Sequence, residues 1–134
     1  MGDTLTAPRT ETEDMESATI LVADDDPAVR ALVVGSLRKD GYTVLEAATG
    51  EEAVACADSA PDLLIADLIM TPLGGLELAD ELRSRIPALA VLHISGYAAR
   101  TFNGDETAAL LSKPFSLDEL REHVEWLLAT KVRS

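Results

Sequence analysis

Four short apolar runs in this chain each end on a residue able to do chemistry. Ile20-Leu21-Val22-Ala23 is followed by Asp24-Asp25, Leu63-Leu64-Ile65-Ala66 by Asp67, Ala90-Val91-Leu92-His93-Ile94 by Ser95, and Ala109-Leu110-Leu111 leads into Lys113. Gathered in one place, three carboxylates, a hydroxyl and an ammonium would suit phosphoryl transfer onto a carboxylate. Aspartate can attack phosphorus and form an acyl phosphate. A hard divalent cation such as Mg²⁺ takes carboxylate, carbonyl and water oxygens. Such a cation offsets charge on the moving phosphoryl group. Lys113 would meet another phosphoryl oxygen as a point charge, and Ser95 could donate to a third.

The elements that must position these residues follow from the pattern. Apolar runs without alternation read as strands buried on both faces. They are placed at Ile20–Ala23, Tyr42–Ala47, Asp62–Asp67, Ala90–Ile94 and Ala109–Leu111. Between them lie amphipathic stretches. Asp26 caps a helix with Pro27 at its first position, carrying Val29, Leu32, Val33 and Leu37 on one face and stopping at Gly41. Gly50–Ala57 is a short helix, and Leu76, Leu78, Ala79, Leu82 and Ile86 mark another that ends before Pro87. Ser116 and Glu119 form a capping box for a last helix burying Leu117, Leu120, Val124, Leu127 and Leu128. Alternation of this kind predicts an α/β fold: a doubly wound, five-stranded parallel sheet of flavodoxin-like order 2-1-3-4-5. In such sheets ligands bind beyond the carboxyl ends of the strands, where all the residues above lie.

Composition narrows the function classes. The 134 residues suit one domain, and apolar residues make up 47% of them against 4% aromatic, so the core is aliphatic. The expected division is a flexible acidic leader at 1–17, a domain at 18–130 and a tail at 131–134. A net charge of −13 argues against nucleic acid or an anionic membrane as a partner. No apolar run reaches the length of a membrane span, no signal peptide pattern opens the chain, and Cys56 has no second cysteine to pair with. A cytoplasmic setting is expected. His93, inside an apolar strand, reads as a packed core histidine, Cys56 as a small packed side chain, and Trp126 as core or an interface anchor.

From about Thr19 to Ala129 the chain resembles bacterial response-regulator receiver domains. The resemblance is carried by Ile20-Leu21-Val22-Ala23-Asp24-Asp25-Asp26-Pro27, Pro61-Asp62-Leu63-Leu64-Ile65-Ala66-Asp67, Ile94-Ser95-Gly96-Tyr97 and Lys113-Pro114-Phe115, in that order. It implies that Asp67 is the phosphoacceptor. Asp25 would bind Mg²⁺ directly and Asp24 mostly through water, with Asp67 and the backbone carbonyl of Ile69 completing the protein ligands. Ser95 takes the switch hydroxyl position and Lys113 the phosphoryl-contacting lysine position, with a cis Lys113-Pro114 bond. The implied partners are a sensor histidine kinase or histidine phosphotransfer protein and an output protein, with the chain a monomer or weak dimer. It would be an acceptor with slow self-phosphotransfer and self-dephosphorylation, and no turnover enzyme. With no output domain after Ser134, a free-standing regulator or a receiver from a hybrid kinase is expected.

The chain departs from the family pattern in several places. Met70-Thr71-Pro72 stands where Met-Pro is usual, Gly74 replaces an acidic residue, and Leu110 replaces the aromatic of the switch. Only 18 positions separate Ser95 from Lys113, and Asn103-Gly104 is a turn signal, so a short, distorted or missing helix is expected between strands 4 and 5. Ile69 offers no amide or carboxylate to orient an attacking water, which predicts a long-lived phosphoryl state. Two other functions compete. Asp24-x-Asp26 is similar to the nucleophile motif of haloacid-dehalogenase-type phosphatases, although Pro27-Ala28 depart from it and the chain is short for that core and cap. A degenerate receiver serving only for docking is the other, and the full set of acidic and basic positions argues against it.

Overall fold

The computed structural model describes residues 18–68, 74–95 and 108–133. The expected leader, Ile69, the Met70-Thr71-Pro72 turn, Tyr97 and the segment in which a shortened helix was expected lie outside the described residues. The elements run β1 (Thr19–Ala23), α1 (Pro27–Lys39), β2 (Thr43–Ala47), α2 (Gly50–Ala55), a 3₁₀ turn (Cys56–Ser59), β3 (Leu63–Asp67), α3 (Gly75–Arg85), β4 (Ala90–Ser95), β5 (Ala108–Ser112) and α4 (Leu117–Arg133). All strand pairs are parallel, in the order β2-β1-β3-β4-β5. The expected sheet order is therefore the observed one.

Strands apolar at every position are explained by the two layers that cover them. Ile20, Val22, Leu63, Ile65, Leu92 and Ile94 pack with Val33, Val34 and Leu37 of α1 and Leu120, Val124, Leu127 and Leu128 of α4. Their alternate neighbours Leu21, Ala23, Leu64, Ala66 and Val91 pack with Ala53 of α2 and Leu78, Ala79 and Leu82 of α3. Because successive side chains of a strand point to opposite faces, neither set can be polar.

Helix ends are set locally. Asp26 Oδ1 accepts from the amides of Ala28 (2.9 Å) and Val29 (3.4 Å). In the capping box of α4, the Glu119 amide donates to Ser116 Oγ at 3.0 Å and the Ser116 amide to Glu119 Oε1 at 2.9 Å. Gly41, at φ 100°, takes the left-handed conformation that ends α1, and Tyr42 N returns to Leu37 O at 3.2 Å.

Three helix assignments need correction. Leu32, Leu76 and Leu117, expected on buried faces, are exposed, and Val34 takes the core place on α1. At about 100° per residue Leu32 and Leu76 fall outside the arcs held by Val33, Val34 and Leu37 and by Leu78, Ala79 and Leu82, and Leu117 is the first residue of α4. Trp126 is 57% exposed, which removes it from the core, whereas His93 is buried and Cys56 packs half-buried against the α2–α3 side. No helix of the described residues is long and apolar enough to cross a membrane.

Candidate functional site

Parallel pairing brings the strand ends to one edge. Ala23 is opposite Ala66, Asp67 opposite Ile94, and Ser95 opposite Ser112. Asp24 therefore follows β1 directly beside Asp67, the last residue of β3, and Lys113 follows β5. Although 46 residues separate them, Lys113 Nζ donates to Asp67 Oδ2 at 3.0 Å. Ser95 closes β4 at the same edge; its side chain lies outside what is described. Lys113-Pro114 is a cis peptide.

Carboxylate oxygens of Asp24, Asp25 and Asp67 lie within 4.8 Å of one another. Asp24 is 2% and Asp67 8% exposed, while Asp25 is exposed to solvent. Asp24 is tightly held: its amide donates to Ala47 O (3.1 Å) and its Oδ1 accepts from Asp26 N (2.9 Å). Its other carboxylate oxygen, Oδ2, is buried without a hydrogen-bond partner among the described residues. Burial, first, and the negative charge of Asp67 raise the Asp24 carboxyl above its ordinary pKa, against the opposing Asp26 amide. Burial works against the Lys113 charge, but the hydrogen bond and charge of Asp67 outweigh it and hold that ammonium above the usual lysine value.

Buried acids crowded to this degree destabilise one another unless a cation joins them. The orphaned Asp24 oxygen, beside two further carboxylates, is a hard-oxygen donor set that fits a divalent cation. Lys113 supplies only one positive charge to three carboxylates, and it is committed to Asp67. The geometry thus offers a carboxylate nucleophile, an ammonium on that same carboxylate and an acidic cup for a metal.

Two residues that support the site carry no signal in the sequence. Arg30 Nη1 donates to the main-chain oxygen of Asp24 at 2.6 Å, yet in sequence Arg30 is one more charge on a helix. Gly75 starts α3 directly over the end of β3: a Cβ there would stand 2.2 Å from Asp67 O and 2.9 Å from Leu68 Cα. A local pattern contains neither contact, because each joins different elements.

The sequence pattern of the response regulator receiver domain matches residues 20–125. The chain is 38% identical over 119 residues to the sensor kinase CckA of Brucella abortus, a match covering 84% of this chain and 13% of that protein. It is 36% identical over 114 residues to the response regulator receiver protein CpdR of the same organism, covering 81% of this chain and 95% of CpdR. Among solved structures, the receiver domain of the hybrid histidine kinase CckA superposes with a TM-score of 0.73 at 37% identity, covering 82% of this chain and 98% of that one. With a pattern match across most of its length, the same five-stranded parallel sheet and the acidic edge where such sheets bind ligands, the chain belongs to the response regulator receiver domain family.

Proposed function

We propose that this chain receives a phosphoryl group on Asp67 from a phosphohistidine and passes the change on as altered affinity for an output partner. The observation that carries this is the Asp67 carboxylate itself, hydrogen-bonded to Lys113 at 3.0 Å inside a cluster of three acids. A carboxylate oxygen of Asp67 attacks phosphorus, forming a P–O bond as the P–N bond of the donor breaks. The electron pair leaves with the imidazole nitrogen, which takes up a proton. Lys113, already within reach of Asp67, offsets negative charge on the transferred group.

Asp24, Asp25 and Asp67 are the residues that would hold Mg²⁺, with the main-chain oxygen of Ile69 as a further ligand implied by the family. When bound, Mg²⁺ supplies Lewis-acid stabilisation of the phosphoryl oxygens. Ser95, at the end of β4, takes the switch hydroxyl role. The donor is a sensor histidine kinase or a histidine phosphotransfer protein, in keeping with the similarity to a sensor kinase's receiver. The chain acts in the cytoplasm as a stoichiometric acceptor, with slow self-phosphotransfer and hydrolysis only. Signalling then requires two conformations that bind the output partner unequally.

The test is incubation with acetyl phosphate and Mg²⁺, followed by mapping of the acyl phosphate by mass spectrometry. Label on Asp67, lost in D67N and absent with a chelator, is expected. Label on Asp24 with multiple turnovers would refute the acceptor reading in favour of a phosphatase, and no label anywhere would point to a docking module. Isoleucine at 69 further predicts a long-lived phosphoryl state; a half-life of seconds would refute that expectation.

A further inference from the structure

Asp24 and Asp25 follow β1, and pairing to β2 reaches only the Asp24 amide, which donates to Ala47 O, so the strand alone does not fix their aim. The described interactions show what does. Arg30 lies six residues on, in the first turns of α1, and its Nη1 reaches back to the Asp24 main-chain oxygen at 2.6 Å. The same guanidinium is ion-paired to β2: Arg30 Nε lies 3.6 Å from Glu46 Oε1. Glu46 is in turn steadied by Arg38, whose Nη1 is 3.5 Å from Glu46 Oε2 while its Nη2 donates to Val44 O at 2.9 Å. A connected path thus runs from β2 through Glu46 and Arg30 to the peptide that joins the two acids.

Building on the Mg²⁺-dependent acceptor function, we propose that Arg30 is a positioning residue for the metal site: braced by Glu46, it clamps the Asp24 carbonyl and thereby aims the Asp24 and Asp25 carboxylates at the cation. The physical reason is the planar peptide. The Asp24 carbonyl and the Asp25 amide belong to one rigid unit, so fixing the oxygen fixes the plane from which the Asp25 side chain departs. Asp24 is then held at its amide by Ala47, at its carbonyl by Arg30 and at Oδ1 by Asp26, which leaves Oδ2 for the metal. Arginine suits this place because its planar fork makes both contacts at once, whereas lysine, a single point of charge, makes one. Among the described contacts Arg30 meets none of the carboxylates of Asp24, Asp25 and Asp67 and reaches the site through the Asp24 main-chain oxygen.

Titration of the full chain with Mg²⁺ alone, followed by calorimetry, tests this. R30M keeps the apolar stem and removes the fork, and its Mg²⁺ Kd should rise about 10-fold, the scale found when a group orienting metal ligands is removed. R30K should fall between R30M and the wild type, and E46Q should weaken binding less than R30M. A purely structural arginine would lower the melting temperature of R30M equally with and without Mg²⁺ and leave the Kd unchanged, which would overturn the inference. If R30M does not fold, R30K and E46Q decide: wild-type Kd in both would overturn it. Mg²⁺ binding by the wild type separates the two levels. A wild type that binds no Mg²⁺ would overturn the acceptor chemistry and this inference together, whereas a binding wild type with unaffected variants would overturn this inference alone.

Discussion

Two glycine-to-alanine substitutions in this chain should have opposite signs, and the difference comes from where each absent Cβ would stand. At Gly75 it would meet Asp67 O at 2.2 Å, Asp67 C at 2.9 Å and Leu68 Cα at 2.9 Å, all main-chain atoms at the end of β3. Unstrained carbon–oxygen contacts need about 1 Å more, and backbone cannot rotate away as a side chain can. The Gly75 amide also donates to Leu68 O at 3.1 Å, so moving α3 outward strains that bond as well. Overpacking costs about 1–3 kcal/mol, and contact of backbone with backbone puts G75A near about 3 kcal/mol. Gly35 lies in the exposed middle of α1 with nothing within 4 Å of its Cβ position. There G35A should stabilise the protein by about 0.5–1 kcal/mol, because alanine loses less backbone freedom in a helix. Urea denaturation followed by circular dichroism gives both values. At about 3–5 °C per kcal/mol for a chain of this size, melting curves should shift about 10 °C down for G75A and slightly up for G35A. Displacing the end of β3 also displaces Asp67, so G75A should label more slowly with acetyl phosphate at temperatures where it remains folded. A G75A protein within about 1 kcal/mol of wild type would refute the close approach of α3 to the end of β3.

Three further outcomes follow from the site and its surroundings. Millimolar Mg²⁺ should raise the melting temperature of the wild type by relieving repulsion among Asp24, Asp25 and Asp67, and a chelator should reverse it; an unmoved transition would count against the acidic cup as a metal site. K113M should lose about 1–2 kcal/mol, less than a fully buried ion pair because the lysine side chain is 29% exposed, and should slow Asp67 labelling; urea curves and label kinetics check both. Burial lowers the His93 pKa from 6.5 to about 4 against an opposing hydrogen bond with the Ala66 backbone. Between those values the unfolded chain binds the proton and the folded one does not, so stability should fall by about 3 kcal/mol as pH drops from 6.5 to 4. H93L should flatten that part of the urea-midpoint profile, and an unchanged slope would show that other groups set it.

Much of this protein is legible without coordinates. Unbroken apolar runs separated by capped amphipathic stretches leave few alternatives to a parallel sheet covered on both faces. Once the sheet is parallel, each residue just past a run must lie at the same edge, which is why Asp24, Asp25, Asp67 and Lys113 could be named together from their types alone. The capping box at Ser116 and Glu119 and the stop at Gly41 were equally readable, since both depend on residues close in sequence.

Tertiary structure decided what depends on distance across elements. How each helix is turned toward the sheet left Leu32 and Leu76 exposed and set Val34 in the core. Packing buried Asp24 and left one of its oxygens without a hydrogen-bond partner among the described residues, which turns an acid at a strand end into one of three carboxylates that could hold a cation. The reach of Arg30 to the Asp24 carbonyl and the seating of Gly75 on Asp67 are contacts between elements that local patterns do not encode. Hydrophobic periodicity and caps act over a few residues and so determine elements, whereas the aim of a carboxylate to within an ångström is set by groups brought close only when the chain closes on itself.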